Sequence, residues 1–400
     1  MKPSIPQGTR DFSAAVLKKR NFIFNNIRSV FELFGFEQLE TPAMENVETL
    51  MGKYGEEGDK LIFKILNNGL NLPEKQDAAR KDFEAVLNGK TSKGISERAL
   101  RYDLTIPFAR YIAMNHGQLT FPFKRFQMQP VWRADRPQRG RYREFYQCDA
   151  DIAGSNSILH EIELTSIYAT VFHRLKVPVE IHINNRKILL ALAQQCGGES
   201  NMTNITIAID KLDKIGLDKV KSELKERGLN TKQVEIIEKY ISLKGDNQSI
   251  IDSLKKLFAN NEIGIEGINE LIEILEHSTS QRIPSTVVVN PSLARGLNYY
   301  TGTIFEVKAR GVEMGSIGGG GRYDDLTGLF GVKGIAGVGI SFGVDRIYDV
   351  MEELALFPEN IQESTLALFF NTGIEKSHLD RKSTRLNSSH EWISRMPSSA

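Results

Sequence analysis

The 400-residue sequence predicts an α/β (α+β) fold, in which an antiparallel sheet carries helices and a helical domain is inserted into the chain. Runs rich in β-branched and aromatic residues recur along the chain and alternate with stretches of helical periodicity. Between Arg186 and His277 the strand-like runs stop, and amphipathic helical patterns follow one another, separated by polar turns. We therefore expect a main domain from residues 1–185 and 281–358, interrupted by a helical domain at 186–280.

The first element is an amphipathic helix over residues 14–34. Val16, Ile23, Ile27, Val30 and Phe34 recur at helical spacing, with lysine and arginine between them. A glycine at position 35 is a natural helix end, and residues 36–42 then have the pattern of a short strand that ends in proline.

The later elements follow from the same periodicities. Residues 67–98 are polar, which predicts an exposed insertion with one helix around 77–87. The strand-like runs lie at 121–131, 142–152, 179–183, 286–289, 303–307 and 338–341. Helices are expected at 220–227, 231–243 and 249–258 within the insertion.

The C-terminal segment has a different character. Residues 364–371 have the pattern of a buried strand, so a further domain is expected to begin at 359–380. Residues 381–400 are rich in Ser and Arg and have little periodicity, which predicts a disordered or foreign tail.

Composition narrows the function classes. Lys and Arg number 51 against 50 for Asp and Glu, so the net charge provides no overall electrostatic attraction for a polyanion. Any nucleic-acid site must therefore be a local cluster of basic residues. No stretch approaches the roughly 20 apolar residues that a membrane helix needs, and no signal core is present at the N-terminus. Cys148 and Cys196 lack the spacing of a disulfide framework or a thiolate metal site. We expect a cytoplasmic protein with no membrane contact and no dedicated metal site.

The densest chemical signal is an arginine-rich hairpin at 131–151. From Lys124 to Glu144, seven basic residues stand against two acidic ones. Guanidinium groups match phosphate oxygens in a bidentate way, so a polyphosphate ligand would suit this hairpin. A solvated charged hairpin is the alternative, and charge alone does not exclude it. No P-loop is present, and the glycines at 315–321 lack the strand, helix and acid of a dinucleotide fingerprint.

The pattern within the hairpin is more specific than its charge. Arg133-x-Asp135, a loop, and Arg141-x-x-x-Phe145-x-x-x-Asp149 resemble motif 2 of class II aminoacyl-tRNA synthetases, with Asp135 where the family often has Glu. Residues 14–42 resemble motif 1, and the glycine-rich run that leads to Arg346, at 337–350, resembles motif 3. The resemblance implies a class II catalytic domain, a homodimer formed through motif 1, and an α/β anticodon-binding domain of which only the first strand appears.

Motifs 2 and 3 also imply roles in ATP binding. Arg133 would contact the ATP α-phosphate and the amino-acid carboxylate, and Phe145 would stack on adenine. The loop at 136–140 would approach the acceptor end of tRNA. Arg346 would meet the terminal phosphate, and Asp135 and Arg141 would complete the ATP site, with Mg²⁺ carried on the ATP phosphates.

Two further segments, 292–302 and 318–324, resemble the signatures of the histidyl-tRNA synthetase family. The resemblance implies that Asp103, Thr105 and Gln147 hold the ammonium group of histidine and that Leu104 also belongs to the histidine site. Asp151 and Tyr300 would hold the imidazole beside Tyr299. Arg295 would lie by the α-phosphate, and Asn298 stands where the family usually has Asp.

Ordinary structural roles are the alternative for several of these residues. Tyr299 and Tyr300 could be core residues beside a turn, and Asp103 could be the N-cap of a helix over 106–113. Cys148 is expected to fill the core, because attack of a carboxylate on a phosphate needs no protein nucleophile.

The resemblance implies an enzyme that activates L-histidine with ATP and transfers it to tRNA(His). The alternative is a synthetase-like regulatory subunit of histidine biosynthesis that does not aminoacylate. A general RNA-binding module is a third hypothesis, but it would call for a broad basic stripe and exposed aromatic platforms, which a balanced chain with 8% aromatics does not favour.

Overall fold

The computed structural model describes residues 2–54, 58–280, 285–294 and 299–362. The strands are β1 (Glu37–Gln38), β2 (Met44–Asn46), β3 (Lys64–Ile65), β4 (Arg98–Leu100), β5 (Phe123–Trp132), β6 (Glu144–Ala153), β7 (Val179–Asn185), β8 (Thr286–Val289), β9 (Thr303–Ala309), β10 (Gly318–Tyr323) and β11 (Gly337–Gly343). The helices are α1 (Ala14–Leu33), α2 (Val47–Leu50), α3 (Gln76–Leu87), α4 (Thr105–Asn115), α5 (Leu159–Arg174), α6 (Arg186–Gln195), α7 (Met202–Asp210), α8 (Leu212–Ile215), α9 (Leu217–Glu226), α10 (Thr231–Ile241), α11 (Asn247–Leu257), α12 (Glu262–Ser280) and α13 (Val344–Glu353).

In the described ranges, eight strands form one sheet in the order β1-β5-β6-β11-β10-β9-β7-β8. The pairs from β5 to β7 are antiparallel, as predicted, whereas β1 pairs with β5 and β8 pairs with β7 in parallel. Strands β2, β4 and β3 form a separate small sheet. The sheet is therefore mixed, with an antiparallel centre and parallel pairs at its edges.

One face of the large sheet is covered by α1, α5 and α13. Phe31 of α1, Tyr168 and Phe172 of α5, and Phe126 and Phe342 of the sheet form an aromatic core, with ring centroids of neighbouring pairs 4.8–6.3 Å apart. Helix α1 begins after the Ser13 cap, whose hydroxyl accepts from the Val16 amide. This layer leaves the opposite face of the central strands available for polar side chains.

The six predicted strands after residue 120 all occur, with ends shifted by two residues or fewer. Strand β10 was not predicted, because its four consecutive glycines have low β-propensity. The predicted strand at 36–42 is only Glu37–Gln38, and the small sheet was not predicted either.

The chain between β7 and β8 contains the helices α6 to α12, as its periodicity predicted, and its status as a separate domain stays a prediction. The predicted helices at 220–227, 231–243 and 249–258 correspond to α9, α10 and α11. Buried apolar residues on these helices join the main core, which ties the insertion to the edge of the sheet. The expected strand at 364–371 and the tail at 381–400 lie outside the described residues. No described helix is both long and apolar enough to cross a membrane.

Candidate active site

A cavity of about 400 Å³ opens on the sheet face opposite the helical layer. Its size is typical of a pocket for a small ligand. The predicted site residues that line it are Asp103, Thr105, Arg133, Asp135, Arg141, Phe145, Gln147, Asp151, Tyr299, Tyr300 and Arg346. Residues that are 200 or more positions apart in the sequence therefore meet at one site.

Strand β6 supplies one wall of the cavity through its alternation. Phe145, Gln147, Asp149 and Asp151 face the cavity, because successive side chains of a strand point to opposite faces. Cys148, Ala150 and Ile152 point into the core instead. Burial raises the pKa of the Cys148 thiol well above its usual value, which is consistent with its predicted role as core filler.

Asp151 is held by two buried partners. An Arg125 guanidinium nitrogen lies 2.9 Å from the carboxylate, and both side chains are 3% exposed or less. The Tyr323 hydroxyl donates to Oδ1 at 2.5 Å. Burial raises the pKa of Asp151, while Arg125 and Tyr323 act in the opposite direction. Both partners fix the carboxylate in one orientation.

Glycines keep the floor of the cavity clear. Gly339 pairs with Asp151 across β11 and β6, and a Cβ atom at Gly339 would lie 1.9 Å from Asp151 Oδ1. A Cβ atom at Gly321 would lie 2.9 Å from the Tyr300 ring. These two glycines thus make room for the side chains of Asp151 and Tyr300.

Asp103 is buried and accepts three hydrogen bonds. The Tyr54 hydroxyl and the Ile106 amide donate to Oδ1 at 2.9 and 3.2 Å, and the Tyr299 hydroxyl donates to Oδ2 at 3.4 Å. Burial raises the pKa of Asp103, and these hydrogen bonds oppose that rise. Asp103 stabilises the first turn of α4, as expected from the prediction that it precedes a helix, and it also lines the cavity.

Leu104 lies behind the cavity. Its side chain is fully buried, and its carbonyl accepts from Arg125 Nη2 at 3.2 Å. Leu104 therefore supports the Arg125–Asp151 pair through its main chain.

The Arg133 guanidinium group lies between two aromatic rings. Its Nε donates to the Tyr102 carbonyl at 3.0 Å. Its Cζ is 4.2 Å from the centre of the Tyr102 ring and 5.2 Å from that of Phe145. This arrangement holds a positive charge beside the aromatic residue that was predicted to stack on a base.

Arg346 links the hairpin loop to the segment before β10. Its Nε donates to the Gly140 carbonyl and its Nη1 to the Ser316 carbonyl, both at 2.7 Å. The preceding residue, Asp345, forms ion pairs with Arg10 and Arg20 and accepts from the Tyr146 amide at 3.1 Å. The start of α13 is therefore anchored from both sides.

Several residues of this site were missed in the sequence. Tyr54, Tyr323 and Arg125 contact the carboxylates of Asp103 and Asp151. Tyr323 lies in the segment 318–324 but was given no role of its own, and Tyr54 and Arg125 have no recognisable spacing. Arg20 of α1 received no role in the sequence, and it is buried against Asp345. Arg295 and Asn298 lie outside the described residues.

The described ranges contain no group of three or more His, Cys, Asp or Glu side chains that could hold a metal ion. The basic residues that line the cavity are Arg133, Arg141 and Arg346.

The mixed sheet with its antiparallel centre carries the hairpin with Arg133 and Phe145 and the glycine-rich strand that leads to Arg346, all around one cavity. These features define the catalytic core of a class II aminoacyl-tRNA synthetase. Comparison with known proteins gives the family. The chain belongs to the histidyl-tRNA synthetase family, whose sequence profile matches residues 91–347.

A histidine–tRNA ligase of Porphyromonas gingivalis is 54% identical over 370 residues, which cover 92% of this chain and 81% of that protein. The crystal structure of a histidyl-tRNA synthetase from Nostoc sp. superposes with a TM-score of 0.73 at 31% identity, covering 90% of this chain and 77% of the other. A structure from Bacillus halodurans, described as an ATP phosphoribosyltransferase regulatory subunit/histidyl-tRNA synthetase, has a TM-score of 0.70 at 20% identity, covering 87% and 84%. The last likeness concerns the fold alone.

Proposed function

We propose that the protein is an ATP-dependent histidine–tRNA ligase, which converts L-histidine and ATP to histidyl-adenylate and then loads histidine onto tRNA(His). The observation that supports this proposal is the set of side chains that line one cavity. Buried carboxylates suited to the ammonium and imidazole groups of histidine lie there beside arginines suited to a polyphosphate.

Histidine would bind at the carboxylate end of the cavity. Asp103 is an acceptor for the α-ammonium group, with Thr105 and Gln147 beside it. Asp151 and Tyr300 line the cavity beside Tyr299 and would hold the imidazole ring. Because Tyr54, Tyr323 and Arg125 already orient the two carboxylates, little reorganisation is needed when the substrate binds.

ATP would bind along the hairpin as its magnesium complex, with the metal on the β- and γ-phosphates. Phe145 would stack on adenine, and Arg133 would contact both the α-phosphate and the histidine carboxylate. Arg141 and Arg346 would neutralise the terminal phosphates, with Asp135 nearby. By resemblance, Arg295 would approach the α-phosphate.

In the first step a histidine carboxylate oxygen attacks the α-phosphorus in line, and pyrophosphate leaves with the electrons of the broken P–O bond. The arginines stabilise the negative charge that develops on the phosphate oxygens. In the second step a ribose hydroxyl at the 3′ end of tRNA attacks the adenylate carbonyl, and AMP leaves. The loop at 136–140 would guide that end of the tRNA to the cavity.

The regulatory-subunit hypothesis shares this fold, so the fold cannot decide between the two functions. The site favours the enzyme. Arg133 and Arg346 are present with the geometry described above, and the Tyr299–Tyr300 pair lines the cavity. We further propose that the enzyme works in the cytoplasm as a homodimer formed through motif 1.

Amino-acid-dependent exchange of pyrophosphate into ATP, measured across a panel of amino acids, tests this function. Histidine alone should support exchange. Histidine binding without exchange would favour the regulatory subunit instead, and exchange with a different amino acid would contradict the assigned substrate.

A further inference from the structure

Asp149 is an acidic residue of the cavity that the roles above do not use. It lies between Gln147 and Asp151 on the cavity face of β6, and it is 2% exposed. Among the described residues, no group hydrogen-bonds to its Oδ1. A buried carboxylate oxygen without a partner is costly, unless a proton or a ligand satisfies it.

The two neighbouring carboxylates differ in their partners. Asp151 has the Arg125 guanidinium 2.9 Å away, whereas no ion pair joins Asp149 to a basic side chain in the described part of the chain. The Ser341 hydroxyl hydrogen-bonds to Asp149 and accepts from Gln147 Nε2 at 2.9 Å. The floor of the cavity thus has two acids and one paired cation, and Asp149 is the acid without its own cation.

The surroundings of Asp149 make it a proton acceptor near neutral pH. Burial and the charge of Asp151 raise the pKa of Asp149 to about 7, while Arg125 and Ser341 oppose the rise. The other titratable groups that interact with it are Asp103 before α4, Tyr300 before β9, Tyr168 of α5, Arg101 after β4 and the adjacent Cys148. None of these supplies a second cation in contact with Asp149.

An imidazole ring fits this pair of acids better than an ammonium group does. Side chains two positions apart on one strand face are separated by roughly 7 Å along the strand. Imidazole has two nitrogens on opposite edges of the ring, so it can bridge two such groups. The α-ammonium group already has Asp103, Thr105 and Gln147 as its proposed acceptors.

We propose that Asp149 is a further histidine-selectivity residue, which shares a proton with one nitrogen of the bound imidazole while the Asp151–Arg125 pair accepts the N–H of the other. This inference rests on the proposed histidine site and extends it. A neutral aromatic side chain could not share that proton, so Asp149 would select for a ring of the basicity of imidazole.

The proposal predicts a proton count. At pH 8 free Asp149 is ionised and free imidazole is neutral, so binding must take up one proton. At pH 6 Asp149 already carries that proton and much of the free imidazole is protonated as well, so the uptake gives way to proton release. The dissociation constant of histidine should therefore rise about tenfold per pH unit above pH 7.

Isothermal titration calorimetry of the full chain with histidine, between pH 6 and 8.5 in buffers of different ionisation enthalpy, measures this count. The wild-type chain should take up close to one proton at pH 8. Asp149→Asn cannot carry the proton, so its uptake at pH 8 should vanish and its dissociation constant should become independent of pH above pH 7, where free imidazole is neutral. Glu45→Gln is the matched control, because Glu45 is a buried carboxylate paired with Arg110 outside the cavity. It should behave as wild type.

Ser341→Ala gives a second test that keeps the carboxyl group. Loss of its hydrogen bond raises the pKa of Asp149, so the rise in the dissociation constant should begin at a higher pH than in wild type. Wild-type proton uptake in Asp149→Asn would overturn the proposal. The proposal would also be overturned if Asp149→Asn bound histidine more weakly while the wild-type chain took up no proton. Asp149 would then bind the ammonium group or have a purely structural role.

The same experiment separates this inference from the ligase function. Histidine binding with proton uptake but without pyrophosphate exchange would support the role of Asp149 and refute the ligase. Absence of both histidine binding and exchange in the wild-type chain would overturn the two together.

Discussion

Gly339 and Asp151 lie directly opposite each other on β11 and β6, and a Cβ atom at position 339 would fall 1.9 Å from Asp151 Oδ1. The carboxylate cannot move aside easily, because Arg125 and Tyr323 hold it. Asp151, which is proposed to bind the imidazole, can therefore hold its position only because residue 339 is a glycine.

Gly339→Ala should raise the KM for histidine in pyrophosphate exchange by tenfold or more. Displacing the carboxylate from its hydrogen bond with Tyr323 and its ion pair with Arg125 costs about 1.5–3 kcal/mol, and each 1.4 kcal/mol is a factor of ten. The KM for ATP should change little. Gly117→Ala is the control, because a Cβ atom there meets nothing within 4 Å. Equal histidine KM values for both variants would refute this account.

Tyr54→Phe should weaken histidine binding by about tenfold, because it removes one donor from the buried Asp103 carboxylate. The KM for histidine should rise more than kcat falls, since Tyr54 acts through Asp103 and touches no reacting atom. Steady-state exchange kinetics measure this split. Tyr111→Phe, in the last turns of α4 and outside the cavity, should leave both parameters unchanged.

Arg346→Lys keeps a positive charge but cannot reproduce the planar fork that contacts the Gly140 and Ser316 carbonyls. We expect the KM for ATP to rise about tenfold or more and the KM for histidine to change less. Arg139→Lys is a matched change in the same hairpin loop, at an exposed residue paired with Glu353. If the two variants had the same ATP kinetics, Arg346 would have no special role.

Asp149→Asn should stabilise the protein at pH 8 more than at pH 5. The folded-state pKa of about 7 exceeds the ordinary value of 3.8, so the folded state keeps a proton that the unfolded state releases between these values. The contribution of Asp149 to the free energy of unfolding therefore falls as pH rises through this window and is lowest above pH 7. Asparagine does not titrate.

Thermal unfolding of Asp149→Asn and wild type at both pH values measures that difference. The Tm of the variant relative to wild type should be higher at pH 8 than at pH 5. A difference in Tm that is independent of pH would show that the buried carboxyl carries no such proton.

Local patterns in the sequence predicted much of the fold and one wall of the site. A strand was predicted at 142–152, and in the structure the alternation of its side chains puts Phe145, Gln147 and Asp151 on one face. Helical spacing likewise predicted α1 and the helices of the insertion. These features depend on residues a few positions apart, which a sequence displays directly.

The features that the sequence did not predict depend on contacts between residues far apart in the chain. Tyr323 and Asp151 are 172 positions apart, and Tyr54 and Asp103 are 49 positions apart. A lone tyrosine has no spacing that reveals such a partner. Strand β10 was missed for a related reason, since its glycines are suited to the rings and carboxylates that lie over them rather than to strand formation by themselves.

The register between β6 and β11 determines both the packing of the core and the residues that face the cavity. Each strand carries its apolar residues on one face and its cavity residues on the other, so a slip of one position would exchange the two faces. Phe342 would then enter the cavity, and the acids of β6 would enter the core. A misregistered sheet would lose stability and histidine selectivity together. A stably folded sheet therefore has its pocket residues on the correct face.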